Sequence, residues 1–352
     1  MIKSNSSDSV MFKPAFGRWK SIIFIMILPF VIVSCFKEDE KLPPLPPPPA
    51  GVVFDTAAMT PFYKNQIFYD FGTGNTVETI LKTDWDLGFS CDTTGVRIIL
   101  NTSNFMKIAD ANGQAFGAVI DTSGFDWRFD KSDGNPDSAA ILNWLNISGS
   151  DTLYSGHTFV VDRGMDEQGN LRGMRQLVFD SLKGNTYYFR FSNYNGSGIK
   201  SFSITKQAGV NYTYFSFAGS GLAKPLEPPK ESWDIQFTQY TTLLYTAEGA
   251  AYPYLVTGVL LNPYKVKSAV EPVKSFESIT LIDAESLQFS SALDGIGYDW
   301  KYYSFETGNY TVVTNKTFII RDFEGSYFKL RFVSFYNQLG EKGYPVFEFQ
   351  KL

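Results

Sequence analysis

The chain is poor in the residue types that most often carry catalysis. Its 352 residues include one histidine, His157, and two cysteines, Cys35 and Cys91. Two cysteines are too few for a disulfide framework, and one histidine leaves little material for a Ser–His–Asp triad. The sequence contains no CxxC, HExxH or glycine-rich phosphate-binding loop. We therefore predict a non-catalytic protein; a pair of carboxylates, as glycosidases use, is the one catalytic arrangement that this inventory leaves open.

Charged residues and long apolar stretches are also scarce. Charged residues make up 19% of the chain, and the formal net charge is −5. Beyond the N-terminus the chain has no contiguous basic stretch, which argues against a nucleic-acid partner. The longest apolar run, residues 22–33, falls short of the roughly 20 residues that span a bilayer. A membrane-spanning helix is therefore not predicted.

The N-terminus has the pattern of an export signal. Lys13, Arg18 and Lys20 precede the apolar run, as in a secretory signal peptide. The run ends at residues 32–35, Ile-Val-Ser-Cys, which resemble a bacterial lipobox, where the cysteine is lipidated and becomes the first residue. A short membrane anchor with a chance cysteine is the alternative. We predict a signal peptide over residues 1–35 with Cys35 as the lipidation site, and Cys91 as a buried apolar thiol.

Residues 36–50 are predicted to form a tether. Lys37 and the acids after it resemble the surface-export signal of Bacteroidota lipoproteins, although a solvated charge run has the same composition. The proline-rich residues 42–50 favour a stiff polyproline II segment. The expected location is the outer membrane, with the protein lipid-anchored and exposed at the cell surface.

Aromatic residues and glycines are abundant. The chain has 32 Phe, 20 Tyr and 29 Gly, a composition typical of β proteins. Short alternating segments between turn signals predict an all-β fold with a few short helices. Residues 327–332, YFKLRF, are predicted to form a half-buried strand with one wet side. Residues 138–146 have helical spacing, and residues 75–83 are predicted to be a short helix or a loop.

The same blocks occur twice in the same order. DWDLGF at residues 84–89 returns as SWDIQF at residues 232–237. The other pairs are GVRIILN with GVLLN, GFDWRF with GYDWKYY, TFVV with TFII, TYYFRF with YFKLRF, and the Phe202 strand with VFEF. This order predicts two similar antiparallel β units in tandem, over residues 51–210 and 211–352. Alternation places Trp85, Leu87 and Phe89 on one face of their strand.

The second predicted unit resembles the HmuY-like family, on its W-D strand, GYDWKYY, YFKLRF and the terminal GEKGYPVFEFQ at residues 340–350. The first unit matches more weakly. The resemblance implies a mainly β fold and a haem-binding surface lipoprotein of Bacteroidota. It also implies an outer-membrane haem transporter as a partner, to which haem is delivered for uptake.

Candidate haem ligands follow from the residues that can bind iron axially, namely His, Met, Cys and Tyr. The family's binders are similar in using His or Met pairs, but the second unit contains neither, which leaves Tyr264. The first unit offers His157 and Met165. The alternative is that neither binds iron: His157 would be an ordinary surface histidine, and Met165 would fill a gap in the packing. DKSDGNPD at residues 130–137 has oxygen donors for Ca²⁺ but without EF-hand spacing, so we predict a plain turn there, with a Ca²⁺ site as the alternative.

Two other functions are compatible with the same sequence. The first is a non-catalytic glycan- or peptide-binding surface module, because Tyr298, Tyr302 and Tyr303 near Trp300 suit sugar stacking. The same aromatic residues equally suit a plain core. The second is a structural or adhesive surface protein without a small ligand.

Overall fold

β-Strands form most of the structure, a computed structural model that describes residues 51–92, 95–148, 151–219 and 221–352. The first eleven strands are β1 Val53–Thr56, β2 Asn65–Asp70, β3 Asn75–Leu81, β4 Leu87–Ser90, β5 Ile98–Leu100, β6 Lys107–Asp110, β7 Leu145–Ser148, β8 Asp151–Tyr154, β9 Phe159–Asp162, β10 Met174–Lys183 and β11 Thr186–Asn193. The next eleven are β12 Lys200–Thr205, β13 Tyr212–Ser216, β14 Leu222–Lys224, β15 Ile235–Tyr245, β16 Ala251–Leu261, β17 Lys267–Glu271, β18 Lys301–Ser304, β19 Asn309–Val312, β20 Thr317–Arg321, β21 Tyr327–Tyr336 and β22 Lys342–Lys351. The all-β prediction is confirmed.

Helices are few and short. Within the described residues there is one α-helix, α1 Leu281–Glu285, and there are four 3₁₀ turns, at Lys82–Asp84, Thr102–Asn104, Pro136–Ser138 and Phe276–Ser278. The helix predicted over residues 138–146 is wrong: this segment is mostly irregular backbone that runs into β7, with Ile141 and Trp144 buried and Leu142 and Leu145 half-buried. The prediction of a helix or loop over residues 75–83 is also wrong, because most of that segment is the edge strand β3. No helix in these residues is long and apolar enough to cross a membrane.

The strands form two sandwiches with the same strand order. One pairs the sheet β12-β11-β10-β9-β6 with the sheet β14-β13-β4-β5, and the other pairs β1-β22-β21-β20-β17 with β3-β2-β15-β16. Each position in one sandwich has a counterpart eleven strands away in the other. A sequence duplication would produce this match. The duplication itself remains a prediction.

Strand pairing crosses the predicted boundary at residue 210. β2 pairs with β15 and β1 pairs with β22, so residues 53–81 complete the sandwich built mainly from residues 235–351. β13 pairs with β4 across the same boundary, and β12, which precedes the boundary, pairs with β11. The first three strands of each eleven-strand repeat therefore complete the sandwich of the other repeat. We call the sandwich that contains β4 the first half and the one that contains β15 the second half.

The motif tryptophans lie between the two halves. Leu87 and Phe89 face the core of the first half, whereas Trp85 packs in a separate cluster with Trp233, Phe68 and Tyr214. The prediction that Trp85 shares a face with Leu87 and Phe89 is therefore wrong. Trp85 precedes the first residue of β4, so strand alternation does not reach it.

The predicted wet side of β21 is covered. Phe328 and Leu330 face the core as predicted, but Lys329 is also buried and its Nζ donates to the carbonyl of Ile279 at 3.3 Å. The 3₁₀ turn at Phe276–Ser278 and helix α1 lie over this face, with Ile279 and Ala284 packed on Ile319. The connection that covers the sheet has no repeated sequence block that would predict it.

Candidate functional site

The W-D motif of the first half ends in a buried ion-pair network. The Asp86 carboxylate has no solvent exposure and accepts from Arg163 Nε and Nη2, both at 3.0 Å. Arg172 Nη1 lies 3.1 Å from Asp86 Oδ1. The backbone N–H of Phe217, at the end of β13, donates to Oδ2 at 2.7 Å. This aspartate therefore joins the motif to the exchanged strand and to the loop after β9, which is a structural role.

The second half has the same motif without the arginines. Asp234 is fully buried and accepts from the backbone N–H of Phe71 at 2.8 Å, just as Asp86 does from Phe217. Asp322 stands where Arg163 stands in the TFVVDR and TFIIRD blocks, and Asp234 Oδ1 has no hydrogen-bond partner. Burial, together with the carboxyl groups of Asp70 and Asp322, raises the pKa of Asp234 to about 8. Asp234 is therefore protonated at neutral pH.

His157 lies at the edge of a cleft of about 250 Å³ in the first half. Its Nδ1 is 2.6 Å from Asp110 Oδ2, and its side chain is half exposed. A carboxylate partner on Nδ1 is the arrangement that orients a metal-binding imidazole and leaves Nε2 available. Arg128 also lines this cleft and pairs with Asp126 at 2.9 Å. The cleft offers one imidazole donor among apolar residues and a few charged ones.

Met165 lies in a different cleft, a groove of about 340 Å³. We call it the Met165 groove; its walls include Phe62, Tyr63, Leu255 and Lys342. Phe62 is 63% exposed and Met165 36%. About half of the lining is polar or charged, including Asp166 and Glu167, and the volume of this open groove is within the range of ligand sites. His157 and Met165 line two different clefts, so these two candidates do not converge on one iron there.

The loop after β9 presents Met165 to this groove. Gly164 has φ of +65°, and a Cβ there would lie 1.8 Å from the carbonyl oxygen of Asn104. The Met165 backbone N–H donates to that same carbonyl at 2.9 Å. Arg163, one residue earlier, is fixed by Asp86. The buried ion pair and the glycine turn together set the position of Met165.

The groove also contains two lysines. Lys342 is exposed at the rim, whereas Lys82 is buried and its Nζ donates to Gln239 Oε1 at 2.8 Å. Burial lowers the pKa of Lys82. Burial and the neighbouring tyrosines 310, 336 and 254 raise the pKa of Tyr63, so its phenolate is disfavoured. Met165 is therefore the axial donor that this groove offers.

Tyr264 is held by surface contacts. Its hydroxyl donates to Glu231 Oε1 at 2.8 Å, and the Nζ atoms of Lys230 and Lys265 lie 4.6 Å and 4.7 Å from its ring centroid. Its oxygen thus already has a carboxylate partner, and its ring is flanked by ammonium groups. Among the three candidates it has the least open setting.

The remaining predictions concern the two cysteines and the acidic segment at residues 130–137. Cys91 is buried and free, which confirms its prediction; Cys35 lies outside the described residues. Asp130, the first acid of DKSDGNPD, is buried and accepts from the backbone N–H groups of Leu100 and Ala140, as a turn residue does. Phe62, Leu255 and Lys342 were not identified from the sequence. They come from segments far apart in the chain, and no local pattern links them.

A cavity between the two halves is too small for a large ligand. It has a volume of about 110 Å³ and is lined by Gln66, Trp85, Glu227 and Trp233, among others. Sites for drug-sized ligands start at about 300 Å³. Burial raises the pKa of Glu227 to about 7. The size of this cavity suits ordered water.

Several solved structures resemble the chain at low identity. Apo PinO from Porphyromonas gingivitis is 12% identical, with 86% of this chain and 97% of that one covered and a TM-score of 0.29. The apo HmuY analog of Tannerella forsythia is 11% identical, with 85% and 96% covered and a TM-score of 0.23. A Bacteroides vulgatus protein described as HmuY-like and heme binding is 15% identical, with 50% and 90% covered and a TM-score of 0.18.

The family assignment rests on a match to a family model and not on these solved structures. No curated protein matches the chain at a significant level. The family model of the HmuY protein matches residues 62–349, which include both halves and nearly all of the described strands. A match over most of the chain is sufficient to place it. The chain belongs to the HmuY family.

Proposed function

We propose that this protein captures haem without catalysis and binds it in the Met165 groove. Family membership supports haem as the ligand. The Met165 groove is the observation that supports the proposed position of the binding site. Thioether sulfur is an established axial donor to haem iron, and the aromatic and aliphatic walls suit a flat apolar macrocycle. Lys342 at the rim would pair with a propionate. When bound, haem would supply the iron, and the Met165 sulfur would hold it.

The cellular setting is part of the same proposal. The lipobox at Cys35 and the acidic, proline-rich tether support a lipid anchor in the outer membrane with the folded part at the cell surface. An outer-membrane haem transporter would be the partner that receives the haem. Metabolic labelling with a fatty acid, lost in Cys35→Ser, tests the anchor. Protease accessibility on intact cells tests the surface location.

Haemin titration of the mature chain tests the ligand and the site together. We expect a Soret band with a 1:1 end point, and we expect Met165→Leu to weaken binding by about tenfold or more because leucine keeps the volume but removes the sulfur. Met165→His should retain binding with a shifted Soret maximum. His157→Gln is the matched control, since it removes the nitrogen donor of the other cleft.

The outcomes separate the function from the site. No Soret band in the unmodified chain would overturn haem capture. A band that survives in Met165→Leu and is lost in His157→Gln would keep haem capture and move the iron to the His157 cleft.

A further inference from the structure

A row of exposed aromatic rings lies on the second half. Phe305, in the turn between β18 and β19, is 93% exposed, and its ring centroid lies 5.2 Å from that of Tyr303. Tyr303 in turn lies 5.2 Å from Tyr310, the residue opposite it in the hairpin. Tyr254 on β16 is 50% exposed and lies 6.3 Å from Tyr252. These five rings are called the aromatic row.

The two groups of rings belong to one surface. Lys301 Nζ, at the start of β18, donates to the backbone carbonyl of Thr257 on β16, which places β16 beside the hairpin. The phenol of Tyr254 accordingly contributes, after burial, to the raised pKa of Tyr310. Tyr310 packs on Phe335 at 5.0 Å, so it forms a half-buried floor between more exposed neighbours. The floor is anchored in the core, which keeps the exposed rings in place. A rigid group of exposed rings is what a stacking surface requires.

The composition of the row favours an amphipathic ligand over an apolar protein surface. Four of the five rings are tyrosines, which combine a flat apolar face with a hydroxyl that donates and accepts hydrogen bonds. Trp300 does not contribute a stacking surface for sugars, because it is buried and its ring centroid lies 3.9 Å from that of Phe332. Tyr302 lies on the opposite face of its strand from Tyr303.

The charges around the row decide between neutral and acidic ligands. Glu306 follows Phe305 and is exposed, and Glu248 is exposed in the turn that joins β15 to β16. Asp299 pairs with Lys316 at 2.6 Å, and Lys301 is buried beneath Trp300 and Phe335. The exposed carboxylates would repel a polyanion, while they accept hydrogen bonds from hydroxyl groups.

We propose that the aromatic row is a binding site for neutral glycans. The apolar C–H face of a pyranose ring stacks on the electron-rich face of an aromatic ring. Successive rings would hold successive sugars, while tyrosine hydroxyls and Glu306 bond the equatorial hydroxyl groups. The aromatic row uses other residues than the haem proposal and needs no metal, and it adjoins the Met165 groove where Tyr254 and Tyr310 neighbour Tyr63.

Affinity electrophoresis of the mature chain tests this site. The probes are neutral polysaccharides (xyloglucan, mannan and dextran) and one acidic polysaccharide, polygalacturonate. We expect retardation by at least one neutral polysaccharide and none by polygalacturonate. The double variant Tyr254→Ala/Phe305→Ala should weaken the retardation by about tenfold, because each stacked ring contributes a modest part of the binding free energy.

Matched variants keep the test specific. Phe305→Tyr should retain binding because it keeps the ring, and Tyr188→Ala removes a comparably exposed tyrosine on β11 of the first half. Unchanged tryptophan fluorescence in every variant verifies the fold. Lack of retardation by every neutral polysaccharide overturns the proposal. So does retardation that the double variant leaves unchanged, or capture of a protein partner through these rings with no glycan binding.

Discussion

At the residue scale, one aspartate position has opposite surroundings in the two halves. Asp86 is neutralised by two arginines, whereas Asp234 has Asp322 in place of the arginine and keeps a proton instead. Both carboxyl groups cap the end of an exchanged strand through the same backbone N–H contact. The contact is therefore the common structural requirement, and the two halves meet the cost of burying a carboxyl group in different ways.

Loss of the Asp86 charge should destabilise the protein strongly. Asp86→Asn leaves Arg163 and Arg172 buried without a counter-charge, and breaking a buried pair in this way costs about 3–5 kcal/mol. Urea denaturation at neutral pH measures the effect. Asp234→Asn is the matched control, because the asparagine replaces a carboxyl group that is already neutral there. Equal losses from both substitutions would contradict the assignment of charge states.

Stability should fall with rising pH because of Asp234. Its pKa rises from 3.8 in the unfolded chain to about 8 in the folded one, so over that range the folded state retains a proton that the unfolded state has released. The free energy of unfolding then decreases with pH by up to about 1.4 kcal/mol per unit, and this contribution levels off above the folded-state pKa. Glu227 acts in the same direction up to a pH of about 7.

Denaturation curves for the unmodified chain and Asp234→Asn, collected at several pH values between about 5 and 9, separate the Asp234 contribution from the rest. The variant should show the flatter dependence and the higher stability at the alkaline end. Parallel curves would show that the Asp234 proton is not retained in the folded state.

At the element scale, the turn after β9 connects the core to the Met165 groove. Gly164→Ala should destabilise the fold by roughly 1–3 kcal/mol, since the new Cβ meets the Asn104 carbonyl and the backbone is already left-handed. We also expect weaker haemin binding, because Met165 follows directly. Gly173→Ala is the control: φ is +76° there, but nothing lies within 4 Å of a Cβ. Chemical denaturation and haemin titration of both variants check this; equal effects would show that backbone strain alone, not the clash, matters.

At the scale of the whole molecule, the exchange of three strands predicts which rearranged chains fold. β1 pairs antiparallel with β22, which brings Val53 opposite Phe349 and the end of the chain close to Gly51. A circular permutant that joins Leu352 to Gly51 by a short linker and begins at Lys230 makes each sandwich contiguous. We expect it to fold with a melting temperature close to that of the unmodified order.

The predicted unit 211–352, expressed alone, should behave differently from the circular permutant. It lacks β1, β2 and β3, so β15 and β22 would expose unpaired edges and the apolar side chains of the core. We expect it to aggregate or remain unfolded, as judged by circular dichroism and gel filtration. A well-folded monomer of this segment would contradict the exchange.

The sequence by itself determined the strand-rich fold, the repeated blocks and the family, because alternation and motif order are local properties of the chain. It also restricted the candidate iron donors to a few residues, among them Met165 and His157, since few residue types can bind iron. Tertiary structure alone decided that the first three strands of each repeat complete the other sandwich, and that Met165 lies beside Phe62 and Leu255. The physical reason is that a strand satisfies its hydrogen bonds equally well with either of two similar partners, so the pairing depends on where the chain returns in space and not on the pattern of the strand itself.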